Sequence, residues 1–225
     1  MGSLIAQLTP LAIGVALSPL PIVAVLIMLI TKRARPGSLV MATCWVLGNL
    51  SLLLIVLAFA DSISPPRHGT DLGWESVFTL LLGIGLMVMG VFARRARHHG
   101  TPDAGPPGWV ASVDHLSPVG GGLLALSNAM TSPKNLALTI SAGKAISRSG
   151  VSATQATEAV CFYVLVASLT IVVPVAFYFL GGQRSVATLT RWRDAVTANA
   201  AAVMEIVLFV LGIGMSLKGL WNLFT

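Results

Sequence analysis

The segment LSNAMTSPKNLALTIS, residues 126–141, decides the fold because it places a proline and several polar residues inside a long apolar stretch. Proline removes a backbone donor and clashes with the preceding turn, so a helix cannot pass Pro133 undisturbed. A lysine in the hydrocarbon layer of a membrane is costly and normally faces a partner or a water-filled cavity. Lys134, flanked by Ser132 and Asn135, therefore predicts a broken membrane helix that lines a site.

A second apolar segment, GVALSPLPIVAVLIML at residues 14–29, breaks in a related way. Its Ser18-Pro19 pair corresponds to Ser132-Pro133 of the first segment. Corresponding interruptions in the two halves of a membrane protein are the best pointer in a sequence to a transport site. The predicted transport pathway is lined by Ser18, Pro19, Pro21, Asn49, Ser132, Pro133, Lys134 and Asn135.

The composition indicates an all-α integral membrane protein. Of the 225 residues, 55% are hydrophobic and 10% are charged, whereas a soluble domain is about a quarter charged. The apolar runs are long enough to span a bilayer as helices. The net charge of +6 comes from basic residues in short loops, where they orient spans in the membrane. No basic helix with interleaved aromatic residues is present, so we expect the lipid bilayer, and no nucleic acid, as a partner.

The apolar segments predict six spans, at about residues 4–30, 38–60, 74–93, 118–142, 157–180 and 196–217. Spans one and four are the broken ones. We divide the chain into a first three-helix repeat at 1–93, a basic cytoplasmic linker at 94–117 and a second three-helix repeat at 118–225. A further polar loop is predicted at residues 181–194, between the last two spans.

The two halves of the chain repeat each other. Two pairs of segments match in the same order. The first pair is SPLPIVAVLIMLITKRARPG and SPKNLALTISAGKAISRSG, and the second is LLGIGLMVMG in span three and VLGIGMSLKG in span six. With three spans per half, the second half enters the membrane in the opposite sense, which gives the inverted repeat of many secondary transporters. The glycines of spans three and six are predicted to be close-packing positions. Apolar helices that contain glycine also resemble one another by composition, and this alternative stays open.

The orientation follows from the distribution of Lys and Arg. The loops after spans one, three and five contain nine of these residues, and the opposite side contains four. The positive-inside rule therefore predicts that both termini lie on the outer side of the cytoplasmic (inner) membrane and that residues 94–97 lie in the cytoplasm.

Two carboxylates are candidates for proton coupling. Glu205 lies about nine residues into span six, roughly 13 Å along a helix, and acids within a membrane are the usual material of proton relays. Glu158, at the start of span five, is the second candidate. Lys134 is predicted to pair with Glu205 or to hold an anionic head group as a point charge. A purely structural role for Glu205 stays open.

Other chemistry finds little support in the sequence. His98 and His99 have no second ligand cluster, and no Ser/His/Asp set or phosphate loop is present. Cys44 and Cys161 lie in spans two and five, away from the prolines, which disfavours a thiol–disulfide electron carrier. We therefore predict no enzyme activity, no metal and no cofactor.

The two breaks, in six spans of this length, resemble the lysine-exporter superfamily of small permeases. That superfamily has a proline-glycine-proline motif in its first helix and an asparagine-proline-lysine motif in its fourth. They correspond here to SPLP at residues 18–21 and SPKN at residues 132–135. The stretches SPLPIVAVLIML and SPKNLALTISAG resemble more specifically the glycolipid-addressing branch found in mycobacteria and related actinobacteria. The resemblance covers nearly the whole chain.

This resemblance implies a transporter that moves a cell-envelope glycolipid or peptidoglycolipid across the cytoplasmic membrane, with a membrane lipid or lipid-like molecule as substrate. Proton linkage of the transport is left open. A small-solute exporter of the lysine-exporter type is one alternative, and a non-transporting accessory subunit of a lipid export complex is another. The resemblance is compatible with a homodimer or with a larger lipid-export complex.

Overall fold

A computed structural model of the protein describes residues 1–31, 34–59, 74–99 and 117–224. Within these ranges the chain forms helices and no β-strand. A 3-10 turn at Gly182–Ser185 connects the last two helices. The α-helices are α1 (Gly2–Ala16), α2 (Pro19–Ile30), α3 (Ala34–Ala58), α4 (Trp74–His99), α5 (Pro118–Thr131), α6 (Pro133–Arg148), α7 (Ala153–Gly181) and α8 (Val186–Phe224).

The first predicted break separates α1 from α2 by Leu17 and Ser18. Ser18 has an extended backbone (φ −100°, ψ 104°), and Pro19 takes the first position of α2. Proline suits this position because the amide it lacks would have no partner within the helix. The axes of α1 and α2 differ by 56°, so the prediction of two half-helices is confirmed. Pro10, in contrast, lies inside α1 without ending it.

The second predicted break separates α5 from α6 at a single residue. Ser132 is extended (φ −63°, ψ 122°), and Pro133 begins α6. The two breaks therefore share one local design, a serine at the N-cap followed by a proline. In neither break does the serine side chain make a capping bond to the helix that follows, so both hydroxyl groups are available for other partners.

Several stretches are long and apolar enough to cross a membrane. They are Ala34–Ala58, Ala153–Ala200 and Ala202–Trp221, and the bent pair α1–α2 raises the number from 3 to 4 when it is taken as one span. The chain is therefore a membrane protein. Among the described residues, α4 and the α5–α6 pair do not reach the same combination of length and apolarity. The six-span inverted repeat therefore stays a prediction.

The half-helices pack against continuous helices of the opposite half. α1 packs on α7, and α5 packs on α3. α3 and α7 also contact each other, where the indole Nε1 of the buried Trp45 donates to the carbonyl oxygen of Ala167 at 3.2 Å. In this arrangement Ser18 at the first break, and Lys134 and Asn135 just after the second, are buried.

α4 and α8 pack closely through matched glycines. A Cβ atom on Gly83 would lie 2.8 Å from the carbonyl oxygen of Gly212, and a Cβ on Gly212 would lie 2.8 Å from that of Gly83. Gly219 similarly faces the backbone of Leu80 at 2.8 Å. The close-packing role is thus confirmed for these positions, because any side chain would separate the helices. It is wrong for Gly85 and Gly214, where a Cβ would meet no atom of another helix within 4 Å among the described residues.

The polar loop predicted at residues 181–194 is wrong. After Gly181 the chain forms the 3-10 turn and the first turns of α8. Ser185 and Leu189 are buried there, and Trp192 stacks on Phe177 with ring centroids 5.2 Å apart. Buried side chains at helical spacing therefore hold a helix where the arginines indicated a loop.

α8 is also longer than a single span requires. Its 39 residues extend roughly 58 Å at 1.5 Å per residue, whereas a bilayer core is about 30 Å thick. α4 likewise continues through the first residues of the predicted linker, 94–99. The rest of that linker, 100–116, lies outside the described residues.

Candidate functional site

Residues next to the two breaks meet inside the protein. The amine Nζ of Lys134, in the first turn of α6, donates to the hydroxyl Oγ of Ser18 at 2.9 Å. Lys134 is 2% exposed and Ser18 is 4% exposed. Residues from the centres of the two broken helices thus form one buried polar cluster, which we call the break junction.

Lys134 has a full set of acceptors at the break junction. Besides Ser18, its Nζ donates to the carbonyl oxygen of Gly14 at 2.6 Å and lies 3.4 Å from that of Leu17. A lysine ammonium has three donors and no acceptor, so three oxygen atoms satisfy it. All three belong to the first half of the chain, whereas Lys134 belongs to the second.

The same contacts complete the C-terminal end of α1. The last four carbonyls of an α-helix have no partner within the helix. Here Lys134 serves Gly14 and Leu17, the Ser18 hydroxyl donates to Val15 at 2.8 Å, and Thr170 Oγ1 of α7 donates to Ala16 at 2.7 Å. Four successive carbonyl groups therefore each accept a side-chain hydrogen bond. The positive charge also opposes the negative end of the α1 dipole.

Asn135 bridges the second break. Its Nδ2 donates to the carbonyl oxygen of Asn128 in α5 at 3.3 Å, and its Oδ1 lies 3.4 Å from Ser18 Oγ. The side chain is fully buried. The Asn128 carbonyl also accepts from the Ser132 amide at 3.3 Å, so Asn135 adds a second donor to it across its own break and reaches the other break as well.

Asn49 of α3 lies at the level of the second break. Neighbouring glycines give the register, because Gly48 abuts Ala129 of α5 and Gly143 of α6 abuts Val56. The Nδ2 of Asn49 donates to Trp45 of its own helix at 2.9 Å. Its Oδ1 is buried and has no hydrogen-bond partner in the described part of the chain. Asn49 therefore has a buried acceptor oxygen at the level of the second break.

The prolines of the breaks differ in their surroundings. Pro19 and Pro21 are buried, whereas Pro133 is exposed and Ser132 is half-buried. The predicted pathway residues thus divide into a buried group around Lys134 and a more accessible pair at the start of α6.

A family model described as Sap, sulfolipid-1-addressing protein, matches residues 8–221. The match includes both breaks and nearly the whole chain. The chain belongs to the Sap family. Searches of curated proteins and of solved structures give no match.

Glu205 lies apart from the break junction in this Sap-family protein. Its Oε1 is 3.8 Å from Nε of Arg94 in α4, and its side chain is 16% exposed. Lys134 is satisfied by the end of α1, so the structure gives the two charges separate partners and does not show the predicted direct pairing. Glu158, the other proton-coupling candidate, is exposed near the start of α7.

Thr170 is the junction residue that sequence reasoning missed. It lies in an apolar helix and carries no charge, and threonines in such helices commonly bond to their own backbone. Its partner, Ala16, is 154 residues away, and a backbone carbonyl leaves no signal in a sequence. Only the packing of α1 against α7 in this Sap-family fold brings the two together.

Proposed function

We propose that this protein is a translocator that moves a cell-envelope glycolipid or peptidoglycolipid across the cytoplasmic membrane. The observation that carries the proposal is the amine of Lys134, buried where both broken helices meet. The family takes its name from a protein that addresses a sulfolipid, and a sulfo group is an anion. An anionic head group is the natural ligand of a lysine in an apolar environment.

Helix packing supports the inverted repeat that this function would use. Exchanging the first three spans for the last three turns the α1–α7 contact into the α5–α3 contact, and both are present. Gly83 and Gly212, which the sequence repeat matches, face each other, as equivalent residues do beside a two-fold axis. We infer six spans of the lysine-exporter type, with both termini outside, as the architecture of the translocator.

In the proposed mechanism, Lys134 exchanges one set of oxygen ligands for another. In the present conformation the amine is sealed, and its ligands are the end of α1 and Ser18. An anionic head group offers oxygen atoms that replace those carbonyls and the hydroxyl. A ligand shifts a conformational equilibrium by its difference in affinity between the states. A head group that binds Lys134 only after α1 has moved away would therefore drive the opening of the break junction.

Proton linkage belongs to this proposal only if Glu205 or Glu158 exchanges a proton during transport. The position of Glu205 beside Arg94 favours a tie between α4 and α8, and the exposure of Glu158 gives its proton no enclosed path. We therefore propose a translocator whose step depends on the head group at Lys134.

Two other functions fit the same fold. A small-solute exporter would use Lys134 to bind a carboxylate, and an accessory subunit would need a partner to move lipid. Purified protein in vesicles separates these functions from lipid translocation. The assay follows head-group-labelled lipids, anionic or zwitterionic, by the quenching of label that reaches the outer leaflet.

We expect the purified protein to move the anionic lipid without a partner. Lys134→Met should abolish this movement, while Thr170→Val, which removes a cap of α1 but no charge, should retain it. Movement that requires a cell extract would instead indicate an accessory subunit. Uptake of an amino acid in place of lipid would indicate a small-solute exporter.

A further inference from the structure

An apolar groove of about 220 Å³ lies beside the first break, between the α1–α2 junction and α8. For comparison, an engineered apolar cavity of about 150 Å³ stays dry and binds benzene. The groove is therefore large enough for a short length of hydrocarbon chain. Its lining residues are Leu17, Pro19, Ile22, Ala195, Val196, Asn199, Ala200 and Val203.

The lining is apolar apart from Asn199, whose amide group bonds to its own helix. Asn199 Nδ2 donates to the carbonyl oxygen of Ala195, one turn earlier in α8, at 2.8 Å. The amide is thus engaged by its own helix. Ala195 and Asn199 are exposed, whereas Pro19 is buried, so the groove opens at the α8 side and closes against the break.

The groove and the amine of Lys134 share the first break. Leu17 lines the groove, and its carbonyl oxygen lies 3.4 Å from Lys134 Nζ. Pro19 lines the groove next to Ser18, whose hydroxyl accepts from the same amine. An apolar surface and a cationic group therefore meet across Leu17, Ser18 and Pro19. An acylated lipid with an anionic head has the complementary arrangement.

We propose that this groove binds one acyl chain of an anionic lipid whose head group is the ligand of Lys134. The proposal rests on the proposed function and names its substrate class as an acylated anionic amphiphile. Lipid tails are as apolar as the groove, so leaving the bilayer for it gains little hydrophobic free energy. The groove therefore selects and aligns the chain, and the head group supplies the affinity.

The test uses the full-length protein in vesicles that contain a phosphatidic acid with a diazirine in the middle of one acyl chain. After irradiation, mass spectrometry maps the labelled residues. We expect label concentrated on residues 17–22 and 195–203. Ala200→Phe should reduce the labelling of these segments about tenfold, because the introduced ring overfills the site.

Ala198→Phe is the matched control, because Ala198 is exposed on the same helix and does not line the groove. It should leave the labelling unchanged. Ala195→Phe, at the exposed rim, provides a second filling variant should Ala200→Phe not fold, and it should also reduce the label. Because the head group supplies the affinity, Lys134→Met should lower the labelling by phosphatidic acid to the level given by phosphatidylcholine carrying the same diazirine chain.

Two outcomes would overturn the inference. One is label spread evenly over α8, including the exposed Ile206 and Val210, and unchanged by Ala200→Phe. The other is that a diazirine attached to a second copy of the protein labels the groove, while the lipid diazirine does not, which would mean that protein and not lipid occupies it. Either outcome leaves the vesicle transport assay untouched, so failure of the groove and failure of translocation are read separately.

Discussion

The amine of Lys134 lies 2.6 Å from the carbonyl oxygen of Gly14, although 120 residues separate them in sequence. With this bond, a side chain of the second half of the protein completes a helix end of the first. Thr170 adds a second such bond, to Ala16. The interface between the halves and the end of α1 therefore depend on the same groups, and a change in one must alter the other.

Lys134→Met should destabilise the protein more than Thr170→Val does. A buried carbonyl that loses its partner costs about 1–3 kcal/mol. Lys134→Met removes the partner of two carbonyls and Thr170→Val that of one, so we expect losses of about 2–6 and 1–3 kcal/mol, respectively. Thermal unfolding of the detergent-purified variants measures the difference. Equal melting temperatures for Lys134→Met and the wild type would mean that water replaces the amine and that the break junction is open.

Gly83→Ala should weaken the packing of α4 on α8, and Gly85→Ala should not. A Cβ on Gly83 would lie 2.5 Å from Ser216 Oγ and 2.6 Å from Ser216 N, whereas one on Gly85 would meet no other helix within 4 Å in the described part of the chain. Overpacking of this kind costs about 1–3 kcal/mol, while glycine to alanine in an open helix position gains up to about 1 kcal/mol.

Gly212→Ala and Gly214→Ala form the equivalent pair in α8, with Met87 N and Gly83 O within 3.0 Å of the first and nothing within 4 Å of the second. Unfolding temperatures of the four variants provide the comparison. If Gly83→Ala and Gly85→Ala unfolded at the same temperature, the close contact of α4 and α8 would be wrong.

The breaks could be predicted from the sequence because proline acts locally. Pro19 and Pro133 each begin a helix, a position that suits a residue with no amide donor and a fixed φ, although Pro10 lies inside α1 without ending it. The partner of Lys134 could not be predicted in the same way. Its ligands are mainly backbone carbonyls, which every residue has, and their supply depends on where α1 ends. A charged residue in an apolar segment therefore predicts that a partner exists, but it does not identify that partner.

The role of Glu205 shows a second limit of sequence reasoning. The sequence predicts that span six starts near residue 196, and the predicted depth of Glu205 in the membrane depends on that start. In the structure α8 begins at Val186. Buried positions such as Leu189 extend the helix through a stretch whose arginines resemble a loop. Packing against α4 then brings Glu205 to Arg94 of the predicted basic segment.

Glu205→Gln and Arg94→Gln should have similar, small effects on lipid movement between pH 5 and 8. Arg94 is 61% exposed at its side chain, and exposed ion pairs contribute about 0–1 kcal/mol. If the pair only ties α4 to α8, losing either member has the same consequence. Vesicle transport measured across this pH range tests the pair. A loss of pH dependence in Glu205→Gln alone would assign proton transfer to Glu205.

The orientation of the protein can be tested by labelling single cysteines with a reagent that does not cross membranes. Cys44→Ala and Cys161→Ala provide the background, because Cys161 is exposed and Cys44 is half-buried. The excess of Lys and Arg after spans one, three and five predicts that position 98 lies in the cytoplasm and Glu158 on the outer side. We therefore expect Glu158→Cys to be labelled in intact cells and His98→Cys only after permeabilisation. Because both positions are tested in one background, the reverse pattern cannot come from poor expression and would invert the orientation.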